Sequence, residues 1–111
     1  MGYMSHHAIV VTSAFYGRIR DAHAEAVRLG CDVTPITPAV INGYRSFLIA
    51  PDGSKEGWDA SEAGNARRES FIQWMRDRYV DGGTYLDWAE VNFGDGDNMG
   101  GMTGSSDWDL R

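Results

Sequence analysis

Val33-Thr34-Pro35-Ile36-Thr37-Pro38-Ala39-Val40-Ile41, then Asn42-Gly43, then Tyr44-Arg45-Ser46-Phe47-Leu48-Ile49-Ala50 is the strongest local signal in the chain. Two β-prone runs flank a dipeptide that accepts positive φ at both positions, as a two-residue type I′ hairpin turn demands. Pro35 and Pro38 have no N–H to give to a ladder, so the first arm belongs at a sheet edge. The second arm alternates Arg45, Phe47 and Ile49 with Tyr44, Ser46 and Leu48, as a strand with two unlike faces does.

Upstream of the hairpin, His7 to Ser13 is short, rich in β-branched residues and apolar on both faces, which predicts an interior strand. Ser13 is the expected N-cap of a helix in which Ile19, Ala22, His23, Ala26 and Val27 recur at three- and four-residue steps. Gly30 supplies its left-handed stop. Downstream, Pro51 to Gly57 is rich in turn residues. Asp59 then caps a second helix, with Glu62 three residues on, and Trp58 is placed to staple over Ala63. Ala63, Ala66, Phe71, Ile72, Trp74 and Met75 form that helix's apolar stripe, and Arg67, Arg68, Glu69, Arg76 and Asp77 its wet face. Asp81-Gly82-Gly83 breaks the chain. Tyr85 to Phe93 reads as the last strand, with Tyr85, Ala89, Val91 and Phe93 on one side and Trp88, Glu90 and Asn92 on the other.

The order strand, helix, strand, strand, helix, strand predicts an α+β fold of the ferredoxin-like type, a four-stranded antiparallel sheet with both helices on one face. That topology puts the first and third strands in the middle, where the two most continuously apolar runs are needed. The single domain spans residues 5–94. Residues 95–111, acidic and glycine-rich, are expected to be a mobile tail outside the sheet. Met4, just ahead of the first periodic segment, reads as an alternative start to Met1.

A chain of 111 residues has material for one core. Its net charge of −6 is unevenly spread: residues 1–50 carry +1, residues 51–80 carry −1 and residues 81–111 carry −6. Phosphate backbones are held by clustered Lys and Arg, so this balance argues against nucleic acid as a partner and for a basic protein surface. No apolar run approaches the roughly 20 residues of a membrane span. The lone Cys31 forms no internal disulfide, which fits the cytoplasm.

No residue pattern predicts catalysis or a cofactor. His6, His7, His23 and Cys31 lack metal-ligand spacing. Asp95 to Gly100 resembles the start of a calcium loop but has Met99 at the fifth position and Ser106 where a bidentate Glu belongs. Ser13 is not flanked by the glycines of a nucleophile elbow. Two contact sites are expected instead. Gly53, Ser54, Lys55 and Gly57, followed by Trp58 and a helix start, are suited to an anion, with Arg45 contributing charge. Trp88 and Glu90 are expected on the open sheet face, as a docking anchor or beneath Trp108 of the tail.

The strings His6-His7-Ala8-Ile9-Val10-Val11-Thr12-Ser13, Asn42-Gly43-Tyr44-Arg45-Ser46-Phe47 and Pro51-Asp52-Gly53-Ser54-Lys55-Glu56-Gly57-Trp58 resemble those of a family of small proteins of tailed phages and prophages. The likeness extends through Asp87-Trp88-Ala89-Glu90-Val91 to Gly94-Asp95 and covers about residues 5–97. The resemblance implies a phage-encoded accessory protein in the bacterial host cytoplasm, and brings no active site with it. The expected function is non-enzymatic binding of a host or phage protein, such as an anti-phage defence component, or pairing as a homodimer across the exposed sheet face. The alternative is a small-ligand binder that takes a phosphorylated metabolite or nucleotide through Arg45, Ser54 and Lys55.

Overall fold

The computed structural model describes residues 5–55, 57–78, 86–94 and 100–106. The expectations for Met4, Glu56, Asp81-Gly82-Gly83, Tyr85, Asp95 to Met99 and Trp108 fall outside these residues.

The elements run β1 (Ser5–Ser13), α1 (Tyr16–Arg28), β2 (Thr37–Pro38), β3 (Arg45–Ile49), α2 (Asp59–Arg78), β4 (Asp87–Gly94) and β5 (Gly101–Ser105). The strands form one antiparallel sheet in the order β2-β3-β1-β4-β5, with β1 and β3 inside it. An α+β architecture is therefore present, but the sheet has five strands where four were expected. The extra strand is residues 101–105, which the sequence reading had assigned to the tail. Glycines at 100, 101 and 104 hid it, because they supply no alternation. Without it, β4 would be an edge with unpaired N–H and C=O groups, and β5 satisfies them. The β4–β5 register slips between Glu90 and Val91, where Thr103 forms a bulge whose hydroxyl donates to Glu90 Oε1 at 2.9 Å.

Strand parity builds the core. Ile9 and Val11 of β1, Phe47 and Ile49 of β3, and Trp88 of β4 point to one face, where Ile19, Ala22 and Ala26 of α1 and Phe71, Ile72 and Met75 of α2 close over them. Both helices thus cover the same side of the sheet. His23, at the edge of the α1 stripe, donates Nε2–H to Thr34 O at 2.9 Å if that nitrogen is protonated, and sets its ring edge-on to Phe47. The N-terminal cap of α1 differs from expectation. Ser13 is buried as the last residue of β1, and its Oγ accepts from Phe15 N at 3.0 Å, so the helix begins three residues later with Phe15 as its cap. At the other end, Cys31 N bonds Ala26 O and Gly30 N bonds Val27 O, a Schellman closure that needs the φ of +84° at Gly30. Val27, expected in the stripe, is exposed.

The first hairpin arm is shorter than the apolar run that predicts it. Only Thr37–Pro38 pair as a strand, with a separate bridge from Val33 to Ile49. Pro35 lies between the two, and the Thr34 hydroxyl takes over as acceptor for Leu48 N at 2.9 Å. Asn42 and Gly43 do carry φ of +64° and +68°. The hydrogen bond from Ala39 N to Tyr44 O makes the connection four residues, Val40 to Gly43, rather than two.

Candidate functional site

The loop that leads into α2 was the expected anion site, and the structure rearranges its parts. Asp52 Oδ1 accepts from both Ser54 N (2.9 Å) and Ser54 Oγ (2.6 Å), which folds the loop back on itself and commits the serine hydroxyl. The helix begins with Trp58 as its cap: Ser61 N and Glu62 N both bond Trp58 O. Asp59 is therefore the first helical residue and not the cap, and Trp58, half exposed, is no staple. Lys55 is exposed. Arg45 belongs to the far end of β3, where its guanidinium lies 4.7 Å from the centre of the Tyr16 ring; four strand residues separate it from the loop end. Of the predicted anion-binding set, Gly53, Ser54 and Trp58 line a common cleft, of about 300 Å³, with Asp52 and Arg67, and Lys55, Gly57 and Arg45 do not.

What closes that region is a residue assigned by periodicity to the wet face. Arg68 is only 5% exposed. Its Nη2 donates to Asn65 Oδ1 and its Nη1 lies 3.7 Å from Asp52 Oδ2. A buried guanidinium is tolerated only with such partners. Burial acts to raise the Asp52 pKa, yet the hydrogen bonds from Ser54 and the nearby Arg68 and Arg67 guanidinium groups outweigh it and hold the carboxyl below its ordinary value. Gly64 makes the approach possible, since a Cβ there would overlap Asp52 Oδ2. Hence Ala63 and Ala66 face solvent while Ser61, Gly64 and Arg68 turn inward.

Arg67 lies between this cleft and a smaller one of about 190 Å³ lined by Cys31, Asp32, Asp52 and Arg68. Burial pushes the Cys31 thiol pKa up, and the two arginines offset this only in part. Cys31 therefore stays protonated near neutral pH and is a poor nucleophile. With two carboxylates facing two guanidinium groups, the smaller cleft is close to neutral overall. Among the described residues, no group of three or more His, Cys, Asp or Glu side chains is placed to hold a metal ion.

Trp88 and Glu90 share a face of β4, but it is the face beneath the helices. Trp88 pairs with Val11, which points into the core, and is 4% exposed, with the Arg76 guanidinium 5.5 Å from its ring centre. Gly104 of β5 lies against the indole, where a Cβ would sit 3.5 Å from Trp88 Cζ3, an ordinary packing distance. The alternation of Tyr85, Ala89, Val91 and Phe93 had suggested the opposite assignment. The register decides it: the bulkiest residue of β4 enters the core and its smaller apolar neighbours face away.

Those neighbours, and not Trp88 and Glu90, build the open sheet face that the sequence predicts. On the helix-free face, Val10 of β1 lies between Leu48 of β3 and Ala89 of β4, Ala8 pairs with Val91, Val91 with Met102, and His6 with Phe93. The His6 and Phe93 ring centres are 5.3 Å apart. Val10, in the middle of β1, is 44% exposed, and Phe93 and Met102, near the ends of β4 and β5, are 46% and 50% exposed. Thr12 and Ser46, joined by a 2.8 Å hydroxyl contact, make one end polar, and Asp87 stands at that rim. Among the described strand residues of this face, Asp87 is the one carboxylate and none is Lys or Arg. The signal was present in the alternation of β1, where Val10 must point away from Ile9 and Val11.

No helix among the described residues is long and apolar enough to cross a membrane. Comparison with protein-family models, with curated proteins and with solved structures gives no match, so the site stands on its own geometry.

Proposed function

We propose that the protein is a binding module that captures another protein on the helix-free face of its sheet, in keeping with a phage-encoded accessory role directed at a host or phage protein. On this reading the chain is a ferredoxin-like unit extended by one edge strand. The observation that carries it is the contiguous, nearly uncharged layer of Val10, Leu48, Ala89, Val91, Phe93 and Met102. Apolar groups gathered in one place, rather than scattered, are the mark of a surface that is covered in use. The test is affinity capture from bacterial lysate with wild-type protein, Val10→Lys and Val40→Lys. Val40 is fully exposed at the hairpin tip, away from the face. Specific capture lost with Val10→Lys and kept with Val40→Lys supports the reading; capture equal in all three refutes it.

A second reading, a small anionic ligand in the cleft above α2, is favoured by one observation: Arg67 reaches both cavities. Titration with inorganic phosphate, followed by NMR shifts of Ser54, Trp58 and Arg67, tests it. Shifts confined to these residues and abolished by Arg67→Ala are the supporting result.

A further inference from the structure

We infer that the occupant of the helix-free face is a second copy of this chain, in a two-fold dimer that packs sheet against sheet with Val10 near the axis. This deepens the binding reading above and rests on it.

Charge is the first argument. In an isologous contact residue i meets residue j and j meets i, so a patch that carries a single sign of charge meets that same sign on its twin. A chain with a net charge of −6 repels its copy least through a region poor in acids. Among the described residues this face is one: its centre is Val10, Leu48, Ala89 and Val91, and Asp87 stands at one end, beside the Thr12–Ser46 pair. A basic partner, by contrast, would be met by carboxylates, and this surface offers it almost none. The other sheet face is covered by α1 and α2, apart from a cleft of about 320 Å³ where α2 passes Trp88 and Glu90.

Area is the second argument. The strands contribute nine, two, five, eight and five residues. At about 3.3 Å of rise and about 4.8 Å of strand spacing per residue, the face covers roughly 460 Å² before side-chain relief is counted. Crystal-type contacts bury less than about 400 Å² per partner and standard stable interfaces about 800 Å². The face is thus large enough for a specific but reversible pair. Shape fits as well, since two twisted sheets stack with side chains interdigitating across about 10 Å. Val10, Phe93 and Met102 are the exposed apolar side chains available to interdigitate.

The experiment is sedimentation velocity on the full chain from about 5 µM to about 500 µM, at low and high NaCl. The expected result is a shift from 12.3 kDa towards twice that mass, strengthened by salt because salt screens the repulsion between two acidic chains. Val10→Lys should weaken the dimer at least tenfold. Val40→Lys should leave it unchanged. Should Val10→Lys unfold, as read by circular dichroism, Met102→Glu on the exposed β5 edge takes its place. A dimer indifferent to whichever folded face variant is used overturns the inference, and so does one that dissolves in salt, which would indicate charge pairing. A wild-type chain that stays monomeric throughout also overturns it. In that case lysate capture that still depends on Val10 leaves the binding reading standing with a different partner, and capture that does not depend on Val10 removes both.

Discussion

Replacing the glycine of a helix interior by alanine ordinarily stabilises a protein, by about 1 kcal/mol from backbone entropy and propensity. At Gly64 the sign should reverse. The new methyl group would occupy the position of Asp52 Oδ2 and approach Arg68 Nη1 to 3.3 Å, so the carboxylate must leave the guanidinium. Parting a fully buried ion pair costs about 3–5 kcal/mol. Here the Arg68 side chain is 7% exposed but that of Asp52 is 27% exposed, and the charges lie 3.7 Å apart. Solvent screening at the Asp52 side brings the loss to about 2–3 kcal/mol. Setting the helix gain against it leaves Gly64→Ala less stable by about 1–2 kcal/mol, a fall in Tm of roughly 5–10 °C for a chain of this size. Urea and thermal unfolding of four proteins, wild type, Gly64→Ala, Asp52→Ala and the double variant, measure this directly. With Asp52 already gone, Gly64→Ala should be neutral or stabilising, giving a coupling of at least about 1 kcal/mol. A rise in Tm on Gly64→Ala in the native background, or additive effects in the cycle, would show that Asp52 does not pin the loop to α2 and refute the reasoning.

Three further outcomes are expected. The Asp52 carboxyl has its pKa depressed in the folded chain, so its contribution to stability is present above the unfolded value near 3.9 and is lost as pH falls through the folded value; Asp52→Asn should flatten the acid limb of a plot of Tm against pH. Trp88→Ala should cost about 3–5 kcal/mol by emptying a core site, whereas Trp58→Ala should change stability by less than about 0.5 kcal/mol, with acrylamide quenching the Trp58 emission preferentially. Removing residues 101–111 should leave the β4 edge bare, lower the urea midpoint and promote aggregation visible by light scattering; a truncated chain as stable as the intact one would mean that β5 contributes nothing to the sheet.

The order of the helices and of the first four strands was legible because periodicity is local: Ile19, Ala22 and Ala26 repeat at helical steps, and Phe47 and Ile49 at strand steps, whatever the rest of the chain does. The prolines also placed the first hairpin arm at an edge. Illegible features depended on partners distant in sequence. Arg68 looks like any solvent-facing helix residue until Asp52, sixteen positions away, is brought against it through the gap at Gly64. Trp88 looks like a surface anchor until its register opposite Val11 is known. β5 carries no alternation of its own and exists because β4 offers it an edge. For the same reason an open sheet face was expected but its residues were not identified: it is assembled from alternate residues of four strands, none of which is unusual alone. Of the residues expected to meet an anion, Ser54 is tied to Asp52 and Arg45 lies over Tyr16, contacts that no local pattern announces.

β1 opens the described chain yet occupies the centre of the sheet, with Ser5 opposite Gly94. β1 is one of three strands with a neighbour on each side, yet one of its partners is separated from it by both helices and the hairpin. Until β4 docks, that side of β1 is an open edge. Such distant pairing is slow to form, and in the interval the apolar run Ala8 to Val11 is an aggregation hazard that chaperones must contain.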